Sequence, residues 1–296
     1  MEHVKEFRIA EKIITIVLLI NFALLGVKIY LFMLTASLAV FAFVVDTLMD
    51  MLADTIGIFA TKRASKPADE DHTYGHAKYD SFVSVIIAML IIFGAIEIFA
   101  NEIERIISKQ AEISLPSSAI GLFLALGTIY LAISIAEYVY SKKLNISVLE
   151  ASALHYISDP LYTAAVFLGV YFASIGYIFA DYLVSTAIAI ILLAEAIGII
   201  RKHGSILLDA TAVNPEMIRN WILKNFPEVN DVHEIKSRTD GISIFLEFHL
   251  VLDGNLSLQK AHDICHKVEK FLLKKLRRSI GNITIHAEPY YPPHED

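Results

Sequence analysis

Two pairs of side chains stand four residues apart inside otherwise apolar stretches, Asp46 with Asp50 and His155 with Asp159. Residues at i and i+4 lie one above the other on a helix face, so each pair offers two ligands from one rigid element. Three carboxylates and one imidazole form a closed set of oxygen and nitrogen donors, the tetrahedral arrangement that zinc prefers. Thiolate-seeking Cu(I) is disfavoured by such donors. The single cysteine, Cys265, excludes both a Cys-rich knuckle and an intramolecular disulfide. At neutral pH the set carries about three negative charges against two on the ion, so the empty site is strained by like-charge repulsion and holds protons. Metal entry then expels protons, which is a physical basis for antiport.

The competing reading is that these are polar residues joining helices inside a membrane, as intramembrane His and Asp can do. Charges inside spans are costly and by default functional, and the repetition of one spacing on two segments argues for a shared site. Depth agrees: at a 1.5 Å rise per residue, Asp50 lies roughly 16 Å and Asp159 roughly 15 Å from the cytoplasmic ends of two antiparallel helices. Asp54 extends the same face by a turn and fits an entry path or a solvated position equally. Glu97, Glu195 and Lys28 stand near helix ends, where long side chains reach the interface, and are read as structural.

The elements that must position these pairs are membrane spans. With 55% hydrophobic residues and a mean hydropathy of +0.56, the chain is too apolar for a soluble globule. Runs long enough to cross about 30 Å of hydrocarbon occur at about 13–32, 36–61, 81–100, 118–136, 148–174 and 181–200. The first is too long for the apolar region of a cleaved signal. Lys5, Arg8 and Lys12, then Lys62, Arg63, Lys66 and Lys78, then Lys142 and Lys143, then Arg201 and Lys202 flank alternate ends. By the positive-inside rule those ends, and both termini, are cytoplasmic. A net charge of -7 without a basic face argues against nucleic acid as a partner.

After the sixth run the pattern changes. Residues 215–226 have helical spacing, 229–237 are extended, and 242–252 alternate strictly, with Ile242, Ile244, Leu246, Phe248 and Leu250 on one face. Asp240-Gly241 supplies a hairpin turn, 256–277 form a second amphipathic helix, and 282–288 a last strand. The order αββαβ predicts a small two-layer α+β sandwich. The expected division is a transmembrane domain over 1–203, an all-α bundle of six helices, and a cytoplasmic domain over 204–296.

The chain resembles the cation diffusion facilitator family of zinc/proton antiporters over nearly its whole length. Val45-Asp46-Thr47-Leu48-Met49-Asp50 is similar to the family's DxxxD in the second helix, and Leu154-His155-Tyr156-Ile157-Ser158-Asp159 to its HxxxD in the fifth. The resemblance implies that Asp46, Asp50, His155 and Asp159 are the transport site, with the histidine pointing to zinc or cadmium rather than manganese or iron. Pro67-Ala68-Asp69-Glu70-Asp71-His72-Thr73-Tyr74-Gly75-His76 is similar to the family's histidine-bearing cytoplasmic loop, which makes Asp69, His72 and His76 a second metal site. The resemblance further implies a ferredoxin-like cytoplasmic domain that forms a homodimer and binds zinc as a regulator, its ligands by position being His233, His249, His262, His286 and Glu288. Glu288 stands where an Asp is common. Pro160, directly after Asp159, is expected to kink the fifth helix. Lys78 and Asp209 are expected to pair at the membrane boundary.

The expected function is Zn2+ efflux coupled to H+ by alternating access, in the cell (inner) membrane, with the ion as substrate rather than resident cofactor. Alternatives are transport of Cd2+, Fe2+, Co2+ or Mn2+, a membrane metal sensor, or an intramembrane metal-dependent hydrolase. An enzyme is disfavoured, since no H-E-x-x-H occurs and four convergent ligands leave no open coordination position.

Overall fold

Long runs of Leu, Ile, Val, Ala and Phe give helices whose backbone hydrogen bonds are satisfied within each segment, the condition for crossing lipid. The computed structural model describes residues 2–64, 66–108, 113–144, 158–276 and 280–290. Among them six helices precede the C-terminal elements: α1 (Glu2–Thr35), α2 (Leu38–Ala64), α3 (Lys78–Ser108), α4 (Ser117–Leu144), α5 (Ser158–Ser174) and α6 (Phe179–Leu207). By length and apolarity, α3, residues Ser117–Tyr140 of α4, and α6 are each sufficient to cross a membrane, among the described residues. In α1 the apolar stretch is Leu19–Thr35. The second helix carries Asp46, Asp50 and Asp54 within its first eighteen residues, so the carboxylates that mark it as a candidate site also dilute its apolar signal. The kink expected at Pro160 depends on residues 145–157, outside the described residues.

The chain divides into two units, Met1–Ile56 with Ile86–Gly198, and Gly57–Val85 with Ile199–Asp296. In the first unit Leu31, Phe43, Ala88, Ile98, Leu126, Tyr130, Val166 and Ala189 are buried between helices, while Phe93, Leu124 and Leu161 face outward. A large apolar exterior suits a lipid solvent, where no water drives it inside. The α1–α2 turn is held by a buried carboxylate. Asp181 of α6 accepts from the backbone N–H of Leu38 at 2.7 Å and of Ala39 at 3.2 Å, and from the Ser37 hydroxyl. Those are orphan donors of the α2 N-terminus, where a negative charge also meets the positive end of the helix dipole. Nearby, Glu102 of α3 accepts from Thr186 at 2.8 Å and Ser185 at 3.2 Å, tying α3 to α6. Gly94 lets α3 pass close to α2: a Cβ there would meet Val45 Cγ1 at 2.9 Å, one residue before Asp46.

The second unit contains α7 (Pro215–Asn225), β1 (Val229–Thr239), β2 (Ile244–Asp253), α8 (Leu258–Leu276) and β3 (Ile280–Tyr290), in the expected order αββαβ. Asn214 caps α7 by accepting from the Glu216 N–H at 2.9 Å, with Pro215 in the first turn. The sheet order is β1-β2-β3, antiparallel then parallel. Leu246, Phe248 and Leu250 of β2 pack with Ile218 and Ile222 of α7 and Val268 and Leu272 of α8 in one core. Ile242 departs from the expected face. It lies in the hairpin turn and is exposed, because Asp240 Oδ1 accepts from the N–H groups of Ile242 and Ser243 and Gly241 adopts a φ of 100°. The strand therefore starts two residues later.

Trp221, the single tryptophan, sits on α7 beside this core, so its fluorescence reports the C-terminal unit alone. Ile222→Ala removes a fully buried side chain and is expected to destabilise this unit by about 2–5 kcal/mol, read as a lower urea midpoint of Trp221 fluorescence in the full-length protein. An unchanged midpoint contradicts the packing described.

Candidate functional site

Three groups of potential ligands emerge. The first lies in the helical unit. Asp46 and Asp50 project from α2 and Asp159 from the first described turn of α5, where it is buried. Asp46 lies within electrostatic reach of both Asp50 and Asp159, and Lys28 and Tyr162 each feel all three carboxylates. The three acids of the expected set therefore share one neighbourhood, supplied by two helices. His155 lies outside the described residues. Thr163 donates to the Asp159 carbonyl at 2.8 Å, a bond to a carbonyl four residues back that bends helices. A Cβ on Gly127 of α4 would lie 3.8 Å from Thr163, so the small residue gives α5 room.

Lys28 departs from its expected place at the interface. Its side chain is 1% exposed, its Nζ donates to the Thr47 hydroxyl, and it sits 3.3 Å from the Phe43 ring centroid and 4.9 Å from that of Tyr130. Position along the span alone did not reveal this; the aromatic at Phe43 and the hydroxyl at Thr47, one turn apart on the helix that bears Asp46, are the signal that existed.

The second group is the loop between α2 and α3. Asp69, His72 and His76 bring one ligand atom each within 4.8 Å of one another. The arrangement is built by a tight turn: Asp69 Oδ1 accepts from the His72 N–H at 2.9 Å, the His72 carbonyl accepts from the Gly75 N–H at 2.9 Å, and Gly75 has a φ of 84°, a conformation glycine adopts without strain. His76 is buried, and its Nδ1 meets the Pro67 carbonyl at 3.2 Å. A carbonyl cannot donate, so Nδ1 carries a proton, and Nε2 faces Asp69 Oδ2, 3.5 Å away. This is the outer hydrogen bond that orients a metal-binding histidine. Lys66 occupies the same carboxylate at 2.5 Å and holds its pKa well below the usual carboxylate range, so the ligand is ionised but partnered.

Next to this loop, Tyr74 meets Phe245 edge-on at 5.3 Å, and the Arg238 guanidinium lies over both rings at 4.5 and 4.8 Å. Lys78 pairs with Asp209 at 2.7 Å, as expected, and holds its pKa below the ordinary value, with Arg238 adding to the effect. Asp209 adopts a φ of 53°, an uncommon conformation that asparagine and aspartate tolerate best.

The third group lies on the sheet face opposite the helices. Strand register puts His233, His249 and His286 in one row across β1, β2 and β3, with successive ring centroids 5.3 and 4.6 Å apart. Glu288, two residues along β3 and so on the same face, reaches His249 Nδ1 at 2.7 Å and His233 Nε2 at 3.3 Å. A bulge between His233 and Lys236, with Glu234 at a φ of 48°, distorts β1 beside the row. His233, His249 and Glu288 bring their ligand atoms within 4.8 Å. The His249 Nδ1 atom is buried and lies 2.7 Å from the Glu288 carboxylate. Two imidazoles and a carboxylate are donors that suit a divalent metal. His262 is not brought to this row by its own chain: it lies on α8, exposed, with its ring 4.5 Å from that of His266. Spacing could not place His262, since the sheet separates its helix from the row.

Comparison with known proteins adds the following. Residues 14–208 match the family model for a cation efflux transmembrane domain, and residues 213–290 that for a cation efflux protein cytoplasmic domain. The chain is similar to the cation-efflux pump FieF of Salmonella arizonae, 29% identical over 271 residues covering 90% of this chain and 88% of that protein. It is equally similar to FieF of Salmonella newport, with the same identity and coverage. Among solved structures it is similar to the metal-bound C-terminal domain of the CzcD transporter from Thermotoga maritima, 32% identical with a TM-score of 0.24, covering 25% of this chain and 86% of that one.

Lys66 already pairs with Asp69, so a cation taken up by the loop would have to displace it, and Lys66→Ala is expected to tighten zinc binding there by roughly 2- to 10-fold, the loss of one charge-assisted contact. The measurement is a zinc titration of the full-length protein carrying His249→Ala, which weakens the sheet group. Weaker loop binding after loss of Lys66 contradicts the competition.

Proposed function

The chain belongs to the cation efflux, or cation diffusion facilitator, family, and from that premise we propose that it exchanges Zn2+ for H+ by alternating access around Asp46, Asp50, His155 and Asp159. As a member of this family it is an integral membrane cation efflux transporter. The observation that carries the finer reading is the gathering of three carboxylates from α2 and α5 inside an apolar bundle, a costly placement that positive charge relieves, a bound cation or protons included. Nitrogen and oxygen donors suit zinc, and His155 completes a four-coordinate set.

In this mechanism the ion is the substrate. Metal entering from the cytoplasm displaces protons from the carboxylates and His155. The bundle then turns the same residues to the opposite side, where protons return and the ion leaves, as in transporters whose site stays near the midplane. Both termini lie in the cytoplasm of a cell whose inner membrane holds the protein. The loop group collects metal before entry. The sheet row senses it: metal held by His233, His249, His286 and Glu288 brings two copies together as a homodimer. A regulator of this kind must bind the transporting state more tightly than the resting one. The match to a cytoplasmic cation efflux domain supports this reading.

The test is zinc flux into proteoliposomes loaded with a zinc-sensitive dye under an imposed pH gradient. Asp50→Ala is expected to lower uptake by roughly 100-fold or more, the consequence of breaking a buried charged set, and dissipating the gradient is expected to stop uptake by the unaltered protein. Tight zinc binding with no flux in any condition supports a sensor instead, and a competition series with cadmium, iron, cobalt and manganese ranks the substrates.

A further inference from the structure

Lys28 has no role in the transport scheme above, yet it is among the largest fully buried side chains. An ammonium taken from water into an apolar bundle is retained only where partners compensate it. Here the partners come from three helices: the Phe43 ring and the Thr47 hydroxyl of α2, the Tyr130 ring of α4, and the carboxylates of α2 and α5. Depth agrees with this. At a 1.5 Å rise per residue, Lys28 lies about 10 Å along α1 from its end at Thr35 and Asp46 about 12 Å along α2 from its start at Leu38. Thr47, which accepts the ammonium hydrogen bond, is flanked by Asp46 on one side and precedes Asp50 by three residues, so the positive charge is anchored to the acidic face itself. Its hydroxyl also donates to the Phe43 carbonyl at 3.1 Å, which orients its lone pairs for the lysine.

We propose that Lys28 is a fixed counter-charge of the transport site, setting its charge to match one divalent ion and keeping that ion from being held too tightly to release. This rests on the transport-site reading above. In the loaded site three ionised carboxylates give -3, Lys28 gives +1, and the sum of -2 is cancelled by one dication. Glu195, which also acts on Asp46, is exposed, whereas Asp46 and Asp50 are half-buried and Asp159 is buried. A loaded site that is neutral carries the smallest solvation cost through the apolar interior. Without Lys28 the loaded site keeps a net -1, binds the dication more strongly in a medium of low dielectric, and gives it up more slowly. Lys28 contacts no ion in this scheme; it is a positioning and specificity residue acting through the field.

The experiment measures concentration-dependent zinc flux in proteoliposomes for the full-length protein and for Lys28→Gln, Lys28→Met and Lys28→Arg. Glutamine keeps a polar group that can donate to Thr47 but loses the charge. The expected result is a KM lowered several-fold and a maximal rate lowered about tenfold in both neutral variants, with arginine close to the original. A structural role alone would reduce the amount of active protein, and so the maximal rate, without lowering KM. An unchanged or raised KM in the neutral variants therefore overturns the proposal. So does failure of both neutral variants to fold while Lys28→Arg folds, since the charge would then serve the fold rather than the ion. Asp50→Ala in the same assay separates the two ideas: flux that survives it removes the transport-site reading itself, whereas flux abolished by it, with KM unmoved in Lys28→Gln, removes only the role of Lys28.

Discussion

Carboxylates gathered in an apolar bundle are the constraint from which the rest of this protein follows. Asp46, Asp50 and Asp159 repel one another in a medium that screens poorly, and no helix packing would collect them unless something positive were also present. The ammonium of Lys28 is one such charge and is built in. In a cation efflux protein the transported cation is the other. A site assembled on this principle is never content in one state, which is what a carrier requires and what a purely structural polar cluster does not.

The bundle holds that tension by stiffening its other end. Asp181 caps α2 at the turn from α1, and Glu102 ties α3 to α6, so the start of the helix bearing two of the carboxylates is pinned by hydrogen bonds to backbone amides. Close passage of α3 at Gly94 brings a second helix against the same segment. Such contacts favour motion of whole helices over bending within them, since packed interiors switch between discrete arrangements rather than deform continuously.

The two smaller groups of ligands use different physics. In the loop, a turn built on Gly75 and a carbonyl from Pro67 orient the donors, and Lys66 stands in for a cation. In the sheet, register alone aligns three histidines, and the alternation of strand side chains keeps them off the core face. His72 of the loop is exposed and His233, His249 and Glu288 of the sheet are half-buried, whereas Asp159 is buried. Tyr74 meets Phe245 edge-on with the Arg238 guanidinium over both rings, so the loop packs against the start of β2.

Much of this was legible in the sequence because the signals are periodic and local. Spacing of four put Asp46 with Asp50, apolar runs gave helices, and alternation gave β2 and the face of His249. The Asp240-Gly241 turn and the αββαβ order followed from the same patterns. What the chain's order could not convey was which element faces which. Lys28 reads as an interfacial lysine from its position along a span, and only the packing of α1 against α2 and α4 turns it inward beneath two aromatic rings. Asp181 reads as the start of a span and becomes the cap of a helix begun more than 140 residues earlier. His262 shares its residue type with the sheet row, but the helix that carries it lies across the sheet from that row. Periodicity reports the face on which a side chain stands; its energetic role depends on the charges and rings brought to that face from distant segments, and that is decided only when the helices pack.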